Sequence, residues 1–373
     1  MNNIMDNFSK SSCCGCGGCA QICPKKAITM FEGEYGFVYP RVDSNLCINC
    51  GLCTKACPFK TSEKGKYLST YLYIEKDEKK RSQSQSGGAF NALAEKIIEL
   101  GGYVFGVEID KDKNIFHSFS NDLNGIEKYK KSKYVQSDLR NTFQECADLL
   151  IDKKLVLFVG TGCQVQGLIY FLRLKNIDLT NLYICDLICH GVLSQKLWKD
   201  FSKFLEKKYK SKIKHIIFRD KSTSGWHGHV DKYEFENGKT LVGRYWTNIF
   251  YSNAYRDSCF NCKFTTIYRC SDFTIGDAWG LEKVYPNLDD NKGASIILAH
   301  SSKGLEFIKD ICDKEININD FLQPRLCGDN NLKRDERFLE MYKNNSDKAF
   351  KHYLFPNKFI LIIKRIIKKL INK

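Results

Sequence analysis

The stretch LVLFVGTGCQVQGL, Leu155 to Leu168, decides the fold of this 373-residue chain. Five apolar residues, Leu155 to Val159, predict a buried strand, Gly160 and Gly162 a sharp turn, and the amphipathic run to Leu174 a helix. The helix N-terminus of such a unit is a ready anion site, because unpaired backbone N–H groups point out of it. Two common fingerprints are missing. Gly160, Gly162 and Gly167 lack the spacing of a nicotinamide-binding turn, and Leu168 and Ile169 stand where a triphosphate loop carries lysine and a hydroxyl. Cys163 occupies the turn instead, so the chemistry is sought among the cysteines.

There are 18 cysteines, nine of them up to and including Cys57. The opening MNNIMDNFSK shows no basic start followed by an apolar run, so a reducing, cytoplasmic setting is expected. There, clustered thiols bind metal more often than they pair. No apolar run reaches membrane-spanning length. With 43% hydrophobic and 13% aromatic residues the chain has the composition of a folded protein of two or three domains.

Cys13, Cys16, Cys19 and Cys23 fit C-x2-C-x2-C-x3-C with Pro24 following, and CINCGLCTKACP repeats the pattern as Cys47, Cys50, Cys53, Cys57 and Pro58. Three closely spaced thiolates wrap one corner of an iron–sulfur cube, while the fourth, beside proline, turns to the neighbouring cube. Zinc also takes four thiolates but has no use for the repeated C-x3-C-P ending. The repeat resembles bacterial-type two-cluster ferredoxins. That resemblance implies crossed ligation: one 4Fe–4S cluster on Cys13, Cys16, Cys19 and Cys57, the other on Cys47, Cys50, Cys53 and Cys23. Between the repeats a β-hairpin turning at Gly33 to Gly36 is expected, and Cys14 reads as a bystander. Residues 1–62 form an electron wire, too small for substrate chemistry of its own.

Beyond it, YLSTYLYIEKDEKKR predicts a strand followed by a polar turn. Ser86, Gly87 and Gly88 lead into a helix with Ala89, Leu93, Ile97 and Ile98 on one face, then a strand from Tyr103 to Val107. The series SQSGGAF, SKYVQSD, GTGCQVQGL, ICHGVLS, FRDKSTSGW, CFNCKF and SDFTIGDAWG follows the ferredoxin repeat in order. It resembles the beta-subunit family of coenzyme F420 hydrogenases and dehydrogenases, between Ser11 and Gly304. The fold implied is α+β and α/β: the small two-cluster domain, then a larger α/β flavin-binding domain over residues 63–330. The activity implied is electron transfer between iron–sulfur clusters and a flavin, FAD, that reduces or oxidises a two-electron partner. Elementary redox chemistry agrees, since clusters pass single electrons and a flavin holds one or two. The resemblance assigns flavin contacts to Ser86, Gly87, Gly88, Lys133, Tyr134, Gln136, Gly160, Thr161, Gly162 and Gln164. A solvated side chain is the alternative for Lys133.

Cys163 and Cys189 end predicted strands, and Cys259 and Cys262 form a C-x2-C pair. Together they predict a third 4Fe–4S cluster near the flavin. The alternative is that the first two are buried fillers and the pair binds zinc or nothing, with Cys270 as a competing fourth ligand. Cys146, Cys185, Cys312 and Cys327 read as structural. His190 is the candidate proton donor, with a structural histidine as the alternative. His227 and His229, two apart, would share one face of a strand, but Gly225 and Gly228 mark a turn there and no metal site is expected; Asp277 either fixes a loop near the cofactor or caps a turn.

The formal net charge is +15. Residues 331–373 form a C-terminal segment ending in the basic, amphipathic KFILIIKRIIKKLINK, residues 358–373. Phe359, Ile363, Ile366, Ile367 and Leu370 share one helical face opposite Lys364, Arg365, Lys368 and Lys369. At about 24 Å this helix falls short of the roughly 30 Å hydrocarbon core. It either lies on the inner membrane face or docks on protein. No nucleic-acid motif accompanies the charge. Two functions stay open: an enzyme acting on a small two-electron acceptor, or a non-catalytic subunit delivering electrons to a redox partner protein, polysaccharide-linked pathways included.

Overall fold

The computed structural model describes residues 3–6, 8–61, 63, 65–312, 314–328 and 331–355. The amphipathic stretch 358–373 lies outside them. In the N-terminal module, β1 (Ile28–Glu32) and β2 (Val38–Val42) pair antiparallel from Ile28–Val42 to Glu32–Val38, forming the expected hairpin. Two short helices, Gly18–Gln21 and Leu52–Lys55, follow the second cysteine of each repeat. Each is entered through a left-handed glycine, Gly17 at φ 71° and Gly51 at φ 76°, a conformation that explains why both repeats carry glycine there.

The larger body holds β3 (Ser69–Tyr73), β4 (Tyr103–Ile109), β5 (Ile115–Ser120), β6 (Val156–Thr161), β7 (Leu182–Leu187), β8 (Ile213–Asp220), β9 (Val230–Phe235), β10 (Thr240–Gly243), β11 (Phe273–Asp277), β12 (Ser295–Ala299) and β13 (Lys314–Ile316). Eight of them form one mixed sheet in the order β13-β3-β12-β11-β7-β6-β4-β5. Its centre, β4, β6, β7 and β11, is parallel, so four carboxyl ends open on one edge. β6 has five consecutive buried residues, as a strand covered on both faces must. It runs two residues beyond the predicted end, carrying Gly160 and Thr161 into pairing with Asp186 and Leu187. The helix Gly162–Leu174 starts at once, with Gln164 Oε1 accepting the Thr161 N–H at 3.0 Å.

That helix also receives the N-terminal module. Cys16 and Cys19 share a core with Phe143, Phe158 and Phe171. A side chain on Gly167 would place its Cβ 3.1 Å from Cys16 Sγ, so glycine permits the approach.

A second layer, β10-β9-β8, packs with the helix Gln195–Tyr209 around Trp198, Phe201, Tyr233 and Trp246. Helices Glu336–Asn344 and Ser346–Leu354 add Phe338, Leu339, Ala349 and Phe350 to this core, so the described part of the C-terminal segment is built into the larger body. One local expectation is corrected. The polar turn after β3 is a helix, Glu78–Gln83, because Asp77 caps it through the Lys80 N–H at 3.0 Å. The turn marked by Gly225 and Gly228 is present: Trp226–Gly228 is a 3-10 turn, and His229 is left-handed at φ 49° before β9 begins.

Candidate functional site

The two cysteine repeats interleave. Cys13, Cys16, Cys19 and Cys57 stand round one cavity, and Cys23, Cys47, Cys50 and Cys53 round another. Each cavity therefore takes three thiols from one repeat and the proline-linked thiol from the other. At the first, inner cavity burial raises the Cys13 and Cys19 thiols and pushes Cys57 up to about 11. The outer one reaches the surface at the exposed Cys50. Among the described residues, no three His, Cys, Asp or Glu side chains converge as they would on a single ion. Thiols spread round a cavity are the donor set that fits a cube, whose irons withdraw the protons that burial otherwise retains.

A larger cavity opens at the carboxyl ends of the parallel strands, where open α/β sheets bind ligands. Cys163, Cys189, Cys259 and Cys262 all line it. Burial pushes Cys189 up to about 12 and raises Cys259 and Cys262, and the charge of Cys163 adds to the rise at all three. Cys163 is pulled down to about 7, chiefly by hydrogen bonding to Cys14. Mutual repulsion among buried thiols is the electrostatic setting that a bound metal cluster relieves. Cys270 faces a different cavity, with Gln166, Tyr170 and Arg269, and does not join the four. Cys146, Cys185 and Cys312 are buried, and Cys327 is exposed.

Nine of the ten residues assigned to flavin line the same large cavity: Ser86, Gly88, Lys133, Tyr134, Gln136, Gly160, Thr161, Gly162 and Gln164. Gly87 does not. It is pressed between strands, donating its N–H to Ser295 Oγ at 2.9 Å. Ser86 Oγ donates to Asp277 Oδ1 at 2.7 Å, and Gln164 Nε2 to Ser137 Oγ at 3.0 Å. Gln85 supplies the observation that favours a polar ligand: both its amide atoms are buried against this cavity without a protein partner. His190 lines the cavity too, its charged form disfavoured by burial and by nearby Arg325.

Two further residues enter the site without a sequence motif to mark them. Cys14 is 5% exposed, belongs to the walls of both the inner cluster cavity and the large cavity, and lies within hydrogen-bonding reach of Cys16 and Cys163. Nothing in its spacing announces that. Arg256, 1% exposed, reaches across to Cys13 from just ahead of the C-x2-C pair. A cation so close to a cysteine loop is the available signal.

Residues 153–321 match the family described as the C terminus of the coenzyme F420 hydrogenase/dehydrogenase beta subunit, and residues 12–61 match the 4Fe-4S dicluster domain. Among solved structures, a chain of the F420-reducing NiFe hydrogenase complex from Methanosarcina barkeri is 15% identical, with 77% of this chain and 91% of that chain covered at a TM-score of 0.44. No curated protein matches the chain. The protein thus joins a 4Fe–4S dicluster domain to a domain of the coenzyme F420 hydrogenase/dehydrogenase beta-subunit family, and its class is that of iron–sulfur electron-transfer oxidoreductases.

Proposed function

We propose that the chain is an iron–sulfur flavoprotein that relays single electrons through its cysteine sites to a flavin, FAD, in the large cavity, where a two-electron partner is reduced or oxidised. The observation that carries this reading is Cys14, shared by the inner cluster cavity and the large one, which makes the thiol-lined sites contiguous. Contiguity matters because electron transfer needs neither a channel nor a moving part, only short distances through packed atoms.

In this reading Cys13, Cys16, Cys19 and Cys57 hold the inner cluster, and Cys23, Cys47, Cys50 and Cys53 the outer. Cys163, Cys189, Cys259 and Cys262 hold a third. Bound flavin supplies the conversion between one-electron and two-electron chemistry. The chain's own residues do the rest. The N–H groups opening the helix Gly162–Leu174 face anionic parts of the cofactor. Ser86, held by Asp277, fixes the loop beside it. His190, on the cavity wall, offers a ring nitrogen for proton exchange with the partner.

The test is oxygen-free preparation of the chain followed by iron, sulfide and released-flavin analysis. About twelve irons with one flavin per chain is the expected result, and about eight would remove the third cluster. Protein that holds clusters but takes up no FAD on reconstitution would overturn the flavoprotein reading.

A further inference from the structure

We infer that Arg256 is the counter-charge of the inner cluster and keeps that cluster reducible despite its burial. The inference rests on the ligand set proposed above for the inner cavity. Arg256 Nε donates to Cys13 O at 2.7 Å, Nη2 to Val38 O at 2.5 Å and to Cys13 Sγ at 3.7 Å, and Nη1 to Gln136 Oε1 at 3.1 Å. None of these partners is a carboxylate. The neighbouring Asp257 is engaged by Arg334 at 2.5 Å. Tyr39 and Phe37 present ring faces 4.5 and 5.4 Å from the guanidinium carbon, which soften the desolvation without neutralising the charge. A buried guanidinium lacking an anion is expensive, so the fold must supply one.

The cluster is that anion. Four thiolates give a cubane a net negative charge that grows by one on reduction. Burial disfavours the added charge. Arg256, on the wall of the adjoining large cavity, opposes it with a positive charge and donates directly to the Cys13 sulfur, two of the recognised ways of raising a cluster potential. Gly15 makes the approach possible, since a Cβ there would lie 2.7 Å from Arg256 Nη1. The outer cavity is built differently. The inner wall carries the part-buried Lys60 in addition to the Arg256 contact on Cys13, whereas the outer wall's Lys25 is exposed and screened by solvent, and Cys50 is exposed as well, so water stabilises the reduced state there. Arg256 thus compensates the inner site for what solvent gives the outer one.

The experiment is an electron-paramagnetic-resonance redox titration of the full chain, reconstituted without oxygen, as wild type, Arg256→Gln, Arg256→Met and Arg256→Lys. Signals are assigned through Cys13→Ser and Cys47→Ser. In the neutral variants the reduction equilibrium of the Cys13 cluster should fall at least tenfold, about 59 mV for one electron. The Cys47 cluster should stay put, and lysine should recover part of the shift. Selective loss of the Cys13 cluster in both neutral variants, restored by lysine, would equally support a counter-charge role. Unchanged midpoints at full iron content, equal shifts of both clusters, or a loss that lysine does not restore would overturn it. Absence of flavin would leave these outcomes readable, so failure of the flavoprotein reading is distinguishable.

Discussion

Arg219 and Asp277 meet at 2.7 Å, with side chains only 4% and 18% exposed, at the carboxyl end of β11. Asp277 also accepts the Ser86 hydroxyl and the Trp226 indole N–H, each at 2.7 Å. One carboxylate therefore gathers three separate segments, SQSGGAF, FRDKSTSGW and SDFTIGDAWG, against the large cavity.

Burial pushes the Asp277 carboxyl up, but Arg219 and the indole and hydroxyl donors outweigh it and hold it below the ordinary carboxylate value. A depressed folded pKa contributes stability that is present above about pH 3.9 and lost as pH falls through the folded value. Asp277→Asn leaves Arg219 buried and unpaired, a change worth about 3–5 kcal/mol. Urea unfolding at pH 7 should show that loss, and the gap from wild type should close below about pH 3.9. A gap that stays constant down to the acid range would mean that the ion pair does not carry the effect.

Crossed ligation predicts which cysteines act together. Cys57→Ala should abolish the same cluster signal as Cys13→Ala, and Cys23→Ala the same signal as Cys47→Ala. Each variant should lose about four irons per chain. If Cys57→Ala and Cys47→Ala instead extinguished one common signal, each repeat would hold its own cluster.

The large cavity makes a similar division. Cys163→Ser should lower the iron content by about four per chain, while Cys270→Ser should leave it unchanged. Cys270 lines the other cavity. There, Gln166, Tyr170, Arg269 and Ser271 leave buried polar atoms without hydrogen-bond partners, in a space of about 550 Å³ with room for water. Equal losses from the two variants would return Cys270 to the ligand list.

Local order is readable in the sequence and long-range juxtaposition is not. The cysteine repeat specifies the hairpin module because thiol spacing is itself geometry. Leu155–Leu174 yields strand and helix because five apolar residues, a glycine turn and an amphipathic run each have one ready conformation. The polar turn expected after β3 fails for the opposite reason: EKKRSQ has no apolar periodicity to announce a helix, and its helix starts from the Asp77 cap. Cys14 and Arg256 are opaque for a different reason. Cys14 is 242 positions from Arg256 and 149 from Cys163 in the chain, and the roles of both come only from the packing of the ferredoxin module on the helix Gly162–Leu174.

Lys133 is not the solvated lysine that a basic stretch predicts. Its Nζ donates to the carbonyls of Lys128 and Lys130 at 2.8 and 2.9 Å, and it stands half-buried in the cavity wall. Burial pulls its ammonium down to about 7, Glu108 opposing and Lys131 adding to the fall. Between about pH 7 and its unfolded value near 10.4 the unfolded chain binds the extra proton, so this lysine makes stability rise with pH across that window. An anionic cofactor group beside Nζ reverses the preference and favours the charged form. FAD binding at pH 8 should therefore take up a proton, seen calorimetrically as a binding enthalpy that depends on the buffer's ionisation enthalpy. Lys133→Met should remove that dependence and weaken binding. A wild-type enthalpy identical in phosphate and Tris would place the phosphates of the cofactor elsewhere, because a lysine near neutral pKa cannot meet an anion without changing its protonation.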